Sequence, residues 1–177
     1  MTELGKQLNQ LQQTIRERRS LRRFSARPVP DEMLDSILEA GRWAPSGLNN
    51  QPWRFALIRD PELRHRMAAL TRYRKIIAGA SVLIAVFLDN DSLYHREKDI
   101  QGIGACLQNM LLTAHSLDLG AVWLGEILKN APAVGRLLEL PPRYELMAVV
   151  AVGFPLDDRE PDPVDRKPLA ELIICRR

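Results

Sequence analysis

Apolar residues recur at two spacings along this chain, and the spacing predicts the elements. Leu4, Leu8, Leu11 and Ile15 fall at helical intervals and make a narrow apolar stripe on an otherwise polar helix. Pro30, followed by Asp31 and Glu32, opens a second helix whose inner face is Met33, Leu34, Ile37 and Leu38, with Gly41 and Pro45 ending it. Trp53, Phe55 and Leu57 alternate with Arg54, Ala56 and Ile58 as in a strand. Asp60-Pro61-Glu62 then caps a short helix. The run Ser81 to Leu88 is continuously apolar and too short for a globular helix, so it predicts a central strand buried on both faces and ended by Asp89-Asn90-Asp91.

From about Asp99 to Leu119 the pattern is helical, with Ile100, Ile103, Leu107, Met110, Leu111, Ala114 and Leu117 on more than one face. That places the helix in the centre of the core or in a subunit interface. Gly120 to Glu126 reads as a short strand running into a glycine turn, Pro132 to Leu140 as a short helix, and Tyr144 to Gly153 as the longest strand. Beyond it, charge and Pro155, Pro161, Pro163 and Pro168 predict an arm over the surface, residues 155–177. Thr71 to Lys75 is basic and receives no element; it could form an edge of the site.

A length of 177 residues with 46% hydrophobic content suits one domain with a substantial core. The formal net charge of +3 favours anionic ligands, yet 22 acidic residues nearly balance 25 basic ones, which argues against a protein that coats nucleic acid. No window approaches roughly 18 apolar residues and the start lacks a signal-like run, so a cytoplasmic protein without membrane segments is expected. Cys106 and Cys175 form neither a C-x-x-C pair nor a disulfide framework, and His65, His95 and His115 lack metal-ligand spacing. Gly102-x-Gly104 is followed by Leu107 where a dinucleotide fingerprint needs glycine.

Two stretches carry more polar chemistry than their elements require. The first joins the second helix to the first strand: Trp43-Ala-Pro-Ser-Gly-Leu-Asn-Asn-Gln-Pro-Trp-Arg-Phe55. Pro45 and Pro52 stiffen its ends, Gly47 can take positive φ, and Ser46, Asn49, Asn50 and Gln51 both donate and accept hydrogen bonds. Such a loop can grip a planar ligand rich in heteroatoms; the same residues also make an ordinary turn. The second is the cluster Arg16, Arg18, Arg19, Arg22, Arg23 and Arg27. Alone it reads as a solvated arm or a nucleic-acid contact. If the first helix persists, however, Arg18 and Arg22 lie one turn apart on one face, Ser20 adds a hydroxyl and Phe24 turns inward, making a pocket edge.

Five segments, in order, resemble the FMN-dependent nitroreductase family: Arg-Arg-Ser-x-Arg-x-Phe, Ala-Pro-Ser-Gly-x-Asn-x-Gln-Pro-Trp-Arg-Phe, Gly-Ala-Val-Trp-Leu-Gly, Ala-Val-Gly-x-Pro and Arg-Lys-Pro. The resemblance implies an α+β fold with a central, mostly antiparallel sheet flanked by helices, and a C-terminal strand exchanged between subunits, for which Leu172 to Ile174 is the candidate. It implies a homodimer holding two FMN molecules at its interface, NAD(P)H as reductant and a small-molecule acceptor such as a nitroaromatic or quinone.

By the same resemblance, Arg18, Arg19, Ser20 and Arg166 hold the phosphate and ribityl chain, and Arg22 lies at the pyrimidine edge, where a guanidinium stabilises the reduced, anionic ring. Pro45, Ser46, Gly47, Asn49 and Gln51 cover the flavin from the other subunit. Leu124, Gly125 and Glu126 bring a backbone N–H near its N5; read from the residues alone, that segment is a buried strand end with Trp123 in the core. No side-chain acid or base is needed, and turnover is expected to be ping-pong. Other readings are an FMN storage or sensor protein, a flavin enzyme of another reaction type on the same fold, and a small basic nucleic-acid binder.

Overall fold

The computed structural model describes residues 9–156 and 165–177. Leu4, Leu8, Pro161 and Pro163 lie outside them. Seven α-helices and four strands follow in the order α1 (Gln10–Glu17), α2 (Asp31–Arg42), β1 (Trp53–Ile58), α3 (Pro61–Ala68), α4 (Arg74–Gly79), β2 (Val82–Asp89), α5 (Arg96–Ser116), β3 (Gly120–Leu124), α6 (Ala131–Leu137), β4 (Tyr144–Gly153) and α7 (Leu169–Leu172).

The strands form one sheet in the order β1-β2-β4-β3, every neighbouring pair antiparallel. β2 is buried along its whole length, as its unbroken apolar run requires. Val82, Ile84, Val86 and Leu88 meet one face with α2 and α5; Leu83, Ala85 and Phe87 meet the other with α3, α4 and α6. The alternation in β1 splits the same way, Trp53 and Phe55 into the first core layer and Ala56 and Ile58 into the second, while Leu57 is exposed.

Local side chains cap two of the helix starts, at Asp60 as the sequence predicts and at Asn9 without such a prediction. Asn9 and Gln12 form a reciprocal capping box at α1, and Asp60 accepts the Leu63 N–H at 2.6 Å ahead of Pro61 in α3. One reading is corrected. Gly41 lies inside α2, because its lack of a side chain admits α5: a Cβ there would come within 2.9 Å of Met110 Cγ and 3.0 Å of Cys106 Sγ. Leu172 to Ile174 makes no strand in this chain, and Leu169, Leu172 and Ile174 are exposed. Burial pushes the Cys106 thiol up to about 12, so it packs as a small apolar group. No helix among the described residues is long and apolar enough to cross a membrane.

Ile84 sits at the centre of the sheet, fully buried. Ile84→Ala is expected to cost about 2–5 kcal/mol, read as a lower urea midpoint at unchanged slope.

Candidate functional site

The N-terminal arginines lie along an open sheet edge. α1 stops at Glu17, and Arg18 turns the chain into extended backbone at φ −53°, ψ 128°. Ser20 then pairs with Ala121 in parallel, Leu21 N–H donates to Ala121 O at 3.1 Å, and Phe24 pairs with Pro155. Glycines make room for this strap: a Cβ on Gly120 would meet Leu21 Cβ at 3.0 Å, and one on Gly153 would meet the Phe24 ring at 3.0 Å. Phe24 is buried, as expected. The helical face shared by Arg18 and Arg22 does not exist, because pairing with β3 replaces the helix after Glu17.

The extended strap still gathers cations. Burial lowers the pKa of Arg18, and the charges of Arg166 and Arg19 lower it further, so three guanidinium groups share one small region. Arg19 spends Nη1 on the carbonyls of Arg16 and Arg18. The Nε atoms of Arg18 and Arg19 are buried without a partner. Crowded cations with orphaned donors suit a multivalent anion of phosphate geometry. Ser20 and Arg22 are exposed beside them, Arg22 Nη1 reaching Ser20 O at 3.2 Å.

The end of β3 opens on the same edge. Since Ala121 O faces Leu21, Ala121 and Trp123 turn their peptide groups away from β4, and Gly120, Val122 and Leu124 turn theirs towards it. The Leu124 C=O therefore faces β4, and the Gly125 N–H, opposed to it in the same trans peptide, faces the strap side. Leu124 is buried, whereas Gly125 is exposed and Trp123 is 43% exposed, outside the core. Glu126 turns inward instead. Its carboxylate pairs with Lys129 and accepts from Thr71 Oγ1 at 2.5 Å and from Arg72 N–H at 3.1 Å, which together bring its pKa from 4.5 down to about 2.

The polar loop stands elsewhere. Between α2 and β1, Leu48, Asn49 and Gln51 adopt φ of 51°, 56° and 46°, and no glycine among the described residues has positive φ. Gly47 is needed for closeness, since a Cβ there would meet Tyr94 Cδ1 at 2.6 Å. Left-handed residues other than glycine each cost roughly 1 kcal/mol or more, so the loop must be held. Ser46 Oγ accepts the Gln51 N–H at 3.0 Å, and Asn50 Nδ2 donates to Ser92 O and Asp99 Oδ1, both at 2.9 Å. Gly102 lies against Pro45 O, 3.3 Å from where its Cβ would be. Leu48 and Asn49 are exposed.

Asp99 is fully buried and also accepts the Tyr94 and His95 N–H groups at 2.8 and 2.9 Å. Burial alone would raise its pKa, but Asn50 and these two amides draw it below the ordinary range. The sequence offered an acid near the start of a helix as its one hint of Asp99, and for Thr71 only its place in the basic stretch that could edge the site. Registers put the loop beyond the Glu145 end of β4 and Gly125 beside the middle of that strand, since Trp53 faces Leu88, Leu88 faces Glu145 and Leu124 faces Val149. They also flank β1 and β3, the two edges, about 14 Å apart at three interstrand spacings. One chain thus brings Arg18, Arg19 and Arg166 together, with Ser20, Arg22 and Gly125 along the same β3 edge, and carries residues 45–51 on the other edge.

Comparisons with known proteins match most of the chain. A family model described as the nitroreductase family matches residues 15–74 and 69–154. A protein of Archaeoglobus fulgidus provisionally named NADH dehydrogenase/NAD(P)H nitroreductase is 35% identical over 149 residues, 82% of this chain and 86% of that protein. A crystal structure of a provisionally named nitroreductase from Desulfovibrio desulfuricans in complex with FMN superposes with a TM-score of 0.91 at 48% identity, over 97% of this chain and 99% of that one. The NADPH:FMN oxidoreductase of Vibrio harveyi complexed with NAD+ superposes at 0.86 with 26% identity, covering 96% and 78%.

Asp99→Ala strands the Asn50 amide and two backbone donors, and is expected to lower stability by about 2–4 kcal/mol in chemical denaturation. Because the Glu126 pKa is depressed on folding, its contribution is present above pH 4.5 and is lost as pH falls towards about 2. The melting temperature of wild type should drop through that window, and that of Glu126→Gln should drop less.

Proposed function

This chain belongs to the nitroreductase family, and we propose that it is an FMN-dependent oxidoreductase carrying electrons from NAD(P)H to a small oxidised acceptor of the nitroaromatic or quinone class. The observation that carries this reading is the Arg18, Arg19 and Arg166 cluster, whose two buried Nε donors lack partners. The phosphate of FMN fits it in charge and in geometry. When bound, FMN supplies hydride transfer between reductant and acceptor.

The chain's own groups bind and orient. Arg18, Arg19 and Arg166 hold the phosphate, Ser20 lies at the ribityl chain, and Arg22 offers positive charge to the pyrimidine edge of the ring. The Gly125 N–H, between Leu124 and Glu126, presents a donor on the same edge. Pro45, Ser46, Gly47, Asn49 and Gln51 of a second copy complete the site, which explains why the loop and the arginines occupy opposite sheet edges. Trp43, Leu48, Leu11, Ile15 and Ile174 are exposed apolar groups that such a homodimer can bury. Its reductant and acceptor use one cavity in turn, a ping-pong order in the cytoplasm.

The purified protein is expected to be yellow, to run as a dimer and to bleach anaerobically with NADH or NADPH. Retained colour without bleaching would favour an FMN storage or sensor protein. Arg22→Ala should slow flavin reduction by about tenfold or more while sparing FMN retention, and Arg166→Ala should weaken retention more than reduction. Stopped-flow reduction and FMN titration of both variants check the division; equal effects would contradict it.

A further inference from the structure

We propose that Thr71 and Glu126 are positioning residues that aim the Gly125 N–H at the bound flavin, a role that rests on the FMN reading given above. Packing does not hold Gly125. It is exposed, and a Cβ built on it would meet nothing within 4 Å. Its φ of −96° and ψ of −20° suit any residue, so the backbone does not require glycine there; the empty space beside it suits a ligand. The β3–β4 ladder sets which way the Leu124–Gly125 peptide faces, and the residues after Gly125 set how firmly its N–H is held there.

Glu126 supplies that restraint. Its side chain is only 16% exposed and is fastened at three points, to Thr71 Oγ1, the Arg72 N–H and Lys129. Thr71 is buried, and its hydroxyl also accepts the Tyr73 N–H at 3.2 Å, so both its donor and an acceptor site are committed. The Gly125 C=O accepts from Leu128 N–H at 3.1 Å and starts the 3-10 turn Glu126–Asn130. At the far end of that turn, Asn130 Nδ2 donates to Leu70 O at 2.7 Å. The turns at 70–73 and 126–130 are thus clamped at both ends.

Docking of the 3-10 turn itself does not require the polar clamp, because Ile127 and Val134 are fully buried beneath it. A carboxylate withdrawn from water and matched by hydrogen bonds adds stability while it is ionised and also restricts orientation strongly. The clamp holds the Gly125–Glu126 peptide and, across Gly125, limits the freedom of the Leu124–Gly125 peptide and of the donor facing the site. A misdirected donor at a reacting centre typically costs tenfold or more in rate.

The test uses FMN-loaded protein and the variants Thr71→Val, Thr71→Ser, Glu126→Ala and Glu126→Gln. Thr71→Val and Glu126→Ala should slow anaerobic flavin reduction about tenfold, shift the midpoint potential of bound FMN, and broaden or split the Gly125 amide resonance. FMN affinity should change by less than about threefold, because the arginines hold the phosphate. Thr71→Ser and Glu126→Gln, which keep a donor and an acceptor, should recover much of the loss. The double variant Thr71→Val with Glu126→Ala should be no slower than the worse single one. Unchanged potential, rate and amide resonance in the Val and Ala variants would overturn the proposal. So would losses of rate that merely track losses of FMN affinity and melting temperature. A wild-type protein that binds no FMN would instead remove the FMN reading, and this role with it.

Discussion

Two central strands buried on both faces leave this protein little room for polar chemistry. β2 and β4 are sealed between α2 and α5 on one side and α3, α4 and α6 on the other. Any charged group placed there would need a partner at a cost of several kcal/mol. Polar machinery is therefore confined to the outer edges of β1 and β3 and to the ends of the strands. The strap at 18–24 and the loop at 45–52 occupy those places. The strap depends on the bare glycines Gly120 and Gly153, and the loop on Gly47 and Gly102.

Electrostatics divides the perimeter unequally. Asp89 is matched by Arg54, Asp31 by Arg59, Glu145 by Arg96 and Glu126 by Lys129. Against this background the Arg18, Arg19 and Arg166 region stands out, because its cations neighbour one another and lower the Arg18 pKa together with burial. In the proposed FMN site an anionic phosphate would relieve that repulsion. The loop stores cost of another kind, in the left-handed backbone of Leu48, Asn49 and Gln51 held by Asn50 and Asp99. In the proposed dimer the two costs meet across one interface, each chain lending its strained loop to the other's cationic edge.

Local patterns in the sequence determined most elements. The unbroken run at 81–88 could only be a doubly buried strand, the alternation at 53–58 put Trp53 and Ile58 on opposite faces, and Asp60-Pro61 capped α3 as its chemistry dictates. The residue types of the site were legible too, in the arginine cluster, the polar loop and the Gly125 turn. These are properties of neighbours in the chain, and neighbouring side chains and backbone set them.

Only the tertiary structure decided how the site residues are presented. Whether the helix continued past Glu17 turned on pairing with Ala121, a partner about a hundred positions away that no local periodicity reports. Gly47 owed its place to Tyr94 crossing above it, not to its own torsions. Asn50 found Asp99 at a separation of 49 residues and Glu126 found Thr71 at 55. A hydrophobic pattern records how much each residue gains by leaving water. It is silent on which distant group will satisfy a buried polar atom, because that choice is made by the packing of whole layers.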